Sequence, residues 1–152
     1  MQDSVTVHMD AMPDEIWALV SDVTQIGRYS PETFEAEWLD GATGPAVGAR
    51  FRGHVRRNGI GPVYWTSCSV TECEPGHVFA FGVGAPGKAM NTWSYHLEPA
   101  EGGGTDVTES FELSPVLPLR VYWALLGWAR GRTNHDGMRT TLERIKAVVE
   151  TS

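Results

Sequence analysis

From about Pro118 to Glu150 the sequence carries one continuous helical pattern, and this pattern limits the fold more than any other feature. Read back from the end, Val149, Ile145, Leu142, Met138, His135, Gly131, Trp128, Ala124 and Val121 recur at steps of three or four residues. That spacing is the period of an α-helix. The face changes character halfway. Its C-terminal half is ordinary core, whereas its N-terminal half mixes Trp128, Gly131 and His135. A helix that exchanges packing side chains for a gap and an imidazole is expected to cover a space, not fill one.

Upstream the period is two. Val5, Val7 and Met9 alternate with Ser4, Thr6 and His8, as in a half-buried strand. Pro13 then occupies a first helical position, with Asp14 and Glu15 in the positive first turn. A second short helix is predicted around Thr24 to Tyr29, stopped by Ser30-Pro31. Strands are predicted at Phe34 to Leu39, Ala49 to Arg57, Val63 to Glu74, His77 to Val83, Thr92 to Glu98 and Thr105 to Leu113. Gly- and Pro-containing turns join most of them, and hairpin connections imply antiparallel neighbours. An antiparallel sheet with helices on one face is an α+β domain. With 152 residues and no linker long enough to divide them, the chain is expected to form one domain, residues 1–152.

Charge narrows the partners. Twelve basic and nineteen acidic residues leave a net charge of −7, without the concentrated positive face that a nucleic acid requires. MQDSVTVHMD carries an acid and no apolar core, so it does not read as a signal peptide. The apolar stretch Val121 to Ala129 is far shorter than the ~20 residues that span a bilayer, so no stable membrane insertion is expected. Cys68 and Cys73 fall in one predicted strand, roughly 16 Å apart at ~3.3 Å per residue, beyond disulfide reach. Two free thiols point to a reducing cytoplasm. Neither has a metal-ligand partner at a recognised spacing, and no cofactor motif appears: Gly102-Gly103-Gly104 joins strand to strand, not strand to helix.

The order and local signatures resemble the START-related polyketide cyclase/dehydrase superfamily, which includes birch-pollen-allergen-like and coenzyme-Q-binding proteins. The residues that carry the likeness are DAMPDEIWALVSDVTQIGRYSPE (Asp10 to Glu32), VTECEPGHVFAF (Val70 to Phe81), TWSYHLEPAEGGGTDVTESFEL (Thr92 to Leu113) and MRTTLERIKAVVE (Met138 to Glu150). The resemblance implies a helix-grip fold, in which a curved antiparallel sheet of about seven strands wraps around the C-terminal helix and leaves a cavity for an apolar ligand. It does not choose among carriers, sensors, cyclases and regulators.

Within that frame Glu109 is the sharpest anomaly. It is in phase with Val107, Phe111 and Leu113, which puts its carboxylate on the apolar face of the sheet. There it is either a proton-transfer or ligand-binding group, or a residue at a cavity mouth reaching water. His135 is the second ionisable candidate, unless the Asn134-His135-Asp136-Gly137 run breaks the helix. Tyr95 is the third, a hydroxyl beside an aromatic lining of Phe51, Trp93, Phe111 and Trp128. Gly53 and Gly131 remove volume on the inward faces of their elements. His54, Arg52 and Arg56 take the outward phase.

Three function classes remain open. The first is binding of a lipophilic polyketide-, polyprenyl- or lipid-like molecule. The second is polyketide cyclisation and dehydration, with Glu109, Tyr95 or His135 transferring protons. The third is a protein-binding regulator without ligand. The Val121 to Ala129 segment reads as a buried helix, a homodimer surface, a membrane-contacting portal, or a lid hinged near Gly127 or Gly131.

Overall fold

The computed structural model describes residues 2–56, 63–85, 88–114 and 132–151. Strand β1 (Gln2–Met9) leads into helix α1 (Pro13–Ser21) and a 3-10 helix (Val23–Arg28). Six strands follow: β2 (Thr33–Trp38), β3 (Arg50–Arg56), β4 (Val63–Glu74), β5 (Val78–Ala85), β6 (Lys88–Pro99) and β7 (Thr105–Leu113). Helix α2 (Arg132–Glu150) is the last described element. The strands form one antiparallel sheet in the order β1-β7-β6-β5-β4-β3-β2, so β2 to β7 are a meander and β1 closes onto β7. The α+β, helix-grip architecture expected from the sequence is the one observed.

Local chemistry explains the elements. Pro13 supplies a preset φ at the start of α1, with Asp14 and Glu15 beside the positive helix end. Trp17 then pins α1 to the sheet, its indole Nε1 donating to the Val78 carbonyl at 2.9 Å. The second short helix is a 3-10 helix, not an α-helix, and Asp22 caps it by accepting from the Thr24 backbone N–H. Gly27 permits its close approach to β2, because a Cβ there would lie 2.2 Å from the Phe34 carbonyl oxygen. Register shifts at Thr33/Glu35, Val70/Glu72 and Val83/Gly84 bend the sheet.

Helix α2 packs against β1, β7 and α1. Met138, Leu142, Ile145 and Val149 are all buried, each contributing about 1.5–3 kcal/mol relative to exposure. The turn-like Asn134 to Gly137 run does not interrupt the helix. Residues 115–131 lie outside the described residues, and with them the expected start of the helix at Pro118, Trp128, Gly131 and the supposed lid.

Candidate functional site

Alternation along the strands builds the site. On β3, Phe51, Gly53 and Val55 face inward; on β4, Tyr64, Thr66 and Cys68 do so. Phe81 and Val83 continue the wall on β5, Asn91, Trp93 and Tyr95 on β6, and Glu109 on β7. The connection Ser30 to Thr33 and the α2 residues Gly137, Met138 and Thr141 complete it. They enclose a cavity of about 230 Å³ between sheet and helix, somewhat smaller than common small-molecule pockets.

The walls are aromatic on one side. Phe51 and Phe81 meet edge to face at 5.2 Å between centroids, and Trp93 tilts against Phe111 at 4.7 Å. Phe111 is the second layer here: it is buried behind Trp93 and does not line the space. Gly53 does line it, with no room to spare, since a Cβ would meet Thr33 Cγ2 at 3.1 Å and Thr66 Oγ1 at 3.4 Å. Gly137 is the opposite case, because a Cβ there would meet nothing within 4 Å among the described residues.

Glu109 is 4% exposed, so it is a buried carboxyl and not one reaching water at a cavity mouth. It stands opposite Tyr95 in the β6–β7 register. Burial pushes the Glu109 carboxyl up to about 8, against the opposing pull of the hydrogen bond donated by the Tyr95 hydroxyl. Burial likewise raises Tyr95 well above the ordinary phenol range, with the nearby Glu109 charge adding to it. Glu109 Oε1 and Asn91 Oδ1 are buried without a hydrogen-bond partner among the described residues.

His135 does not join this group. Its Nδ1 lies 3.2 Å from Asp3 Oδ2, and its side chain is 42% exposed. One helical step places it over β1 instead of over the cavity, and it does not line the space. His54, Arg52 and Arg56 occupy the outward phase as expected. His54 is not simply solvated there, since it stacks on Trp65 at 4.1 Å and pairs with Glu35 at 2.8 Å.

Much of the lining lies outside the site residues expected from the sequence, Tyr64, Phe81, Val83, Met138 and Thr141 among them. Asn91 lies two positions before Trp93, on the same phase, but β6 was expected to begin only at Thr92. Thr66 also shares the inward phase of its strand. Tyr29, read as the end of a helix, is buried; burial raises its phenol, and the Glu109 charge acts in the same direction. Among the described residues no three His, Cys, Asp or Glu side chains come together as metal ligands, and no described helix is long and apolar enough to cross a membrane. Cys68 and Cys73 are unbridged, and burial pushes the Cys68 thiol up to about 12.

Solved structures share the fold. Protein CV1439 from Chromobacterium violaceum is 18% identical with a TM-score of 0.66, over 99% of this chain and 98% of that one. Protein NE0264 from Nitrosomonas europaea is 12% identical with a TM-score of 0.67, over 99% and 95%. A Polyketide_cyc-like protein from Corynebacterium glutamicum is 29% identical with a TM-score of 0.56, over 99% and 85%. No curated protein matches the chain. The family model described as polyketide cyclase / dehydrase and lipid transport matches residues 3–150, and the chain therefore belongs to that family.

Proposed function

We propose that the protein binds a lipophilic small molecule, polyketide-, polyprenyl- or lipid-like, in the cavity between sheet and α2. The observation that carries this reading is an aromatic-walled space of about 230 Å³ ending on a buried acid. Apolar walls supply the affinity, and a few fixed polar groups orient the guest. The test is titration with N-phenylnaphthylamine, a neutral dye that brightens in apolar surroundings, together with native mass spectrometry of freshly purified protein. Saturable binding of one dye per chain is expected. Absence of saturable binding, with no retained compound, would overturn the reading.

One observation favours a second reading, that of a polyketide cyclase/dehydratase. Glu109 holds its proton near neutral pH and contacts Tyr95, as a general acid requires. In an aldol closure an enol carbon of the substrate would add to a carbonyl carbon while the Glu109 carboxyl protonates that carbonyl's oxygen, and the resulting carboxylate would take the enol's hydroxyl proton. In dehydration the re-formed carboxyl would protonate the departing hydroxyl, which leaves as water, and the carboxylate, steadied by the Tyr95 hydroxyl, would take the α-proton. Exclusion of water by the aromatic walls would guard the reactive chain. The distinguishing experiment is Glu109→Gln: a catalyst loses rate by 10²-fold or more, whereas a carrier changes only affinity.

A further inference from the structure

Two unpartnered polar atoms of the cavity say more about the guest than its apolar walls do. Glu109 Oε1 and Asn91 Oδ1 both belong to lining residues, and both are buried without a partner among the described residues. A buried polar atom left unmatched costs about 1–3 kcal/mol, so each is a place where a guest gains by offering a hydrogen bond. The two lie toward opposite ends of one wall. Glu109 is level with Tyr95, and Asn91 is level with Leu113. Four residue steps along β6 lead from Asn91 to Tyr95, about 13 Å of strand at ~3.3 Å per residue. Between them stands Trp93, with Phe81 opposite it on β5, and both line the cavity.

The charge of the lining adds a second constraint. Glu32 and Glu109 are acidic, and none of the described lining residues is Lys, Arg or His. A carboxylate guest brought into this space would find no counter-charge among the described lining residues, and burying an unpaired anion is strongly unfavourable.

We infer that the cavity selects a neutral, flat, elongated guest with a hydroxyl at each end, one read by Glu109 with Tyr95 and the other by Asn91, and that it discriminates against carboxylates. This deepens the binding function proposed above and rests on it. The acid of a long-chain fat would be a poor guest, whereas a rigid aromatic skeleton hydroxylated at both ends would be a good one. Trp93 supplies the face against which such a skeleton lies.

The test uses trans-stilbene and its derivatives as competitors for bound N-phenylnaphthylamine on the full chain, at mildly acidic pH where phenols keep their protons. The para,para′-diol is expected to compete roughly tenfold more tightly than stilbene, two hydrogen bonds being worth about 1 kcal/mol or less each. The mono-phenol should fall between, and the para,para′-dicarboxylate should compete no better than stilbene. Asn91→Leu should remove the advantage of the second hydroxyl and keep that of the first. Equal competition by stilbene, mono-phenol and diol overturns the inference and leaves the binding function standing. So does competition by the dicarboxylate that equals the diol, or dye binding that no stilbene displaces. Failure of dye and stilbenes alike to bind overturns both.

Discussion

Tyr95 and Glu109 face each other across the β6–β7 ladder, and the phenol donates its hydrogen bond to the acid. The pair makes protonation a property of the fold. The Glu109 carboxyl rises from its ordinary 4.5 to about 8 on burial, so between these limits the folded chain holds a proton that the unfolded chain has released. Stability from this group is therefore full below about 4.5 and is lost as pH rises toward 8, at up to about 1.4 kcal/mol per pH unit. Urea denaturation of wild type and Glu109→Gln across that window should show the gap moving in favour of the variant as pH rises. Parallel curves would mean that Glu109 is ionised in the folded protein.

The empty space around Gly137 gives a second expected outcome. Gly137→Leu adds a side chain to a residue that lines the cavity, where a Cβ meets no described atom within 4 Å. Replacing a helical glycine raises stability by up to about 1 kcal/mol. Thermal denaturation should therefore show an unchanged or higher Tm, while dye affinity falls at least about tenfold through lost volume. Unaltered dye affinity would place the dye elsewhere on the protein.

Removal of His135 should be quiet. Its pairing with Asp3 is partly exposed, and such pairs contribute about 0–1 kcal/mol. His135→Ala is expected to leave dye affinity unchanged and to cost no more than that in denaturation. A loss of affinity would return the imidazole to the site.

Leu142 tests the other half of α2. It is 0% exposed, and truncation to alanine should cost about 2–5 kcal/mol, measured by denaturant unfolding. A smaller loss would mean that neighbouring side chains collapse into the gap.

The sheet was legible because period-two alternation survives wherever one face is buried. The bounds of β4 and β7 follow the sequence pattern end to end, and Glu109 stood out because a carboxylate interrupted an apolar phase. Asn91 did not stand out, since an amide at the start of a strand reads equally well as part of a turn. Asn91 pairs with Val83, on the sheet side of the register shift at Val83/Gly84, and the length of that ladder is not signalled by any local residue. His135 was misplaced for a related reason. Helical phase selects a face but not the element beneath it, and the N-terminal end of α2 lies near β1. The 3-10 geometry before Tyr29 was equally hidden, as was the close approach of Gly27 to Phe34.

The pairing of β1 with β7 has a consequence for how the chain reaches its native state. Strands β2 to β7 each find a partner in the neighbouring stretch of sequence, whereas Val5 must wait for Glu109. Contacts between distant stretches are the slow ones to form. The meander can assemble by local zipping, and the residues of β1 are among the last to be enlisted. Their arrival caps the β7 edge and provides the platform on which α2 settles, so the hollow is sealed as the closing act of folding.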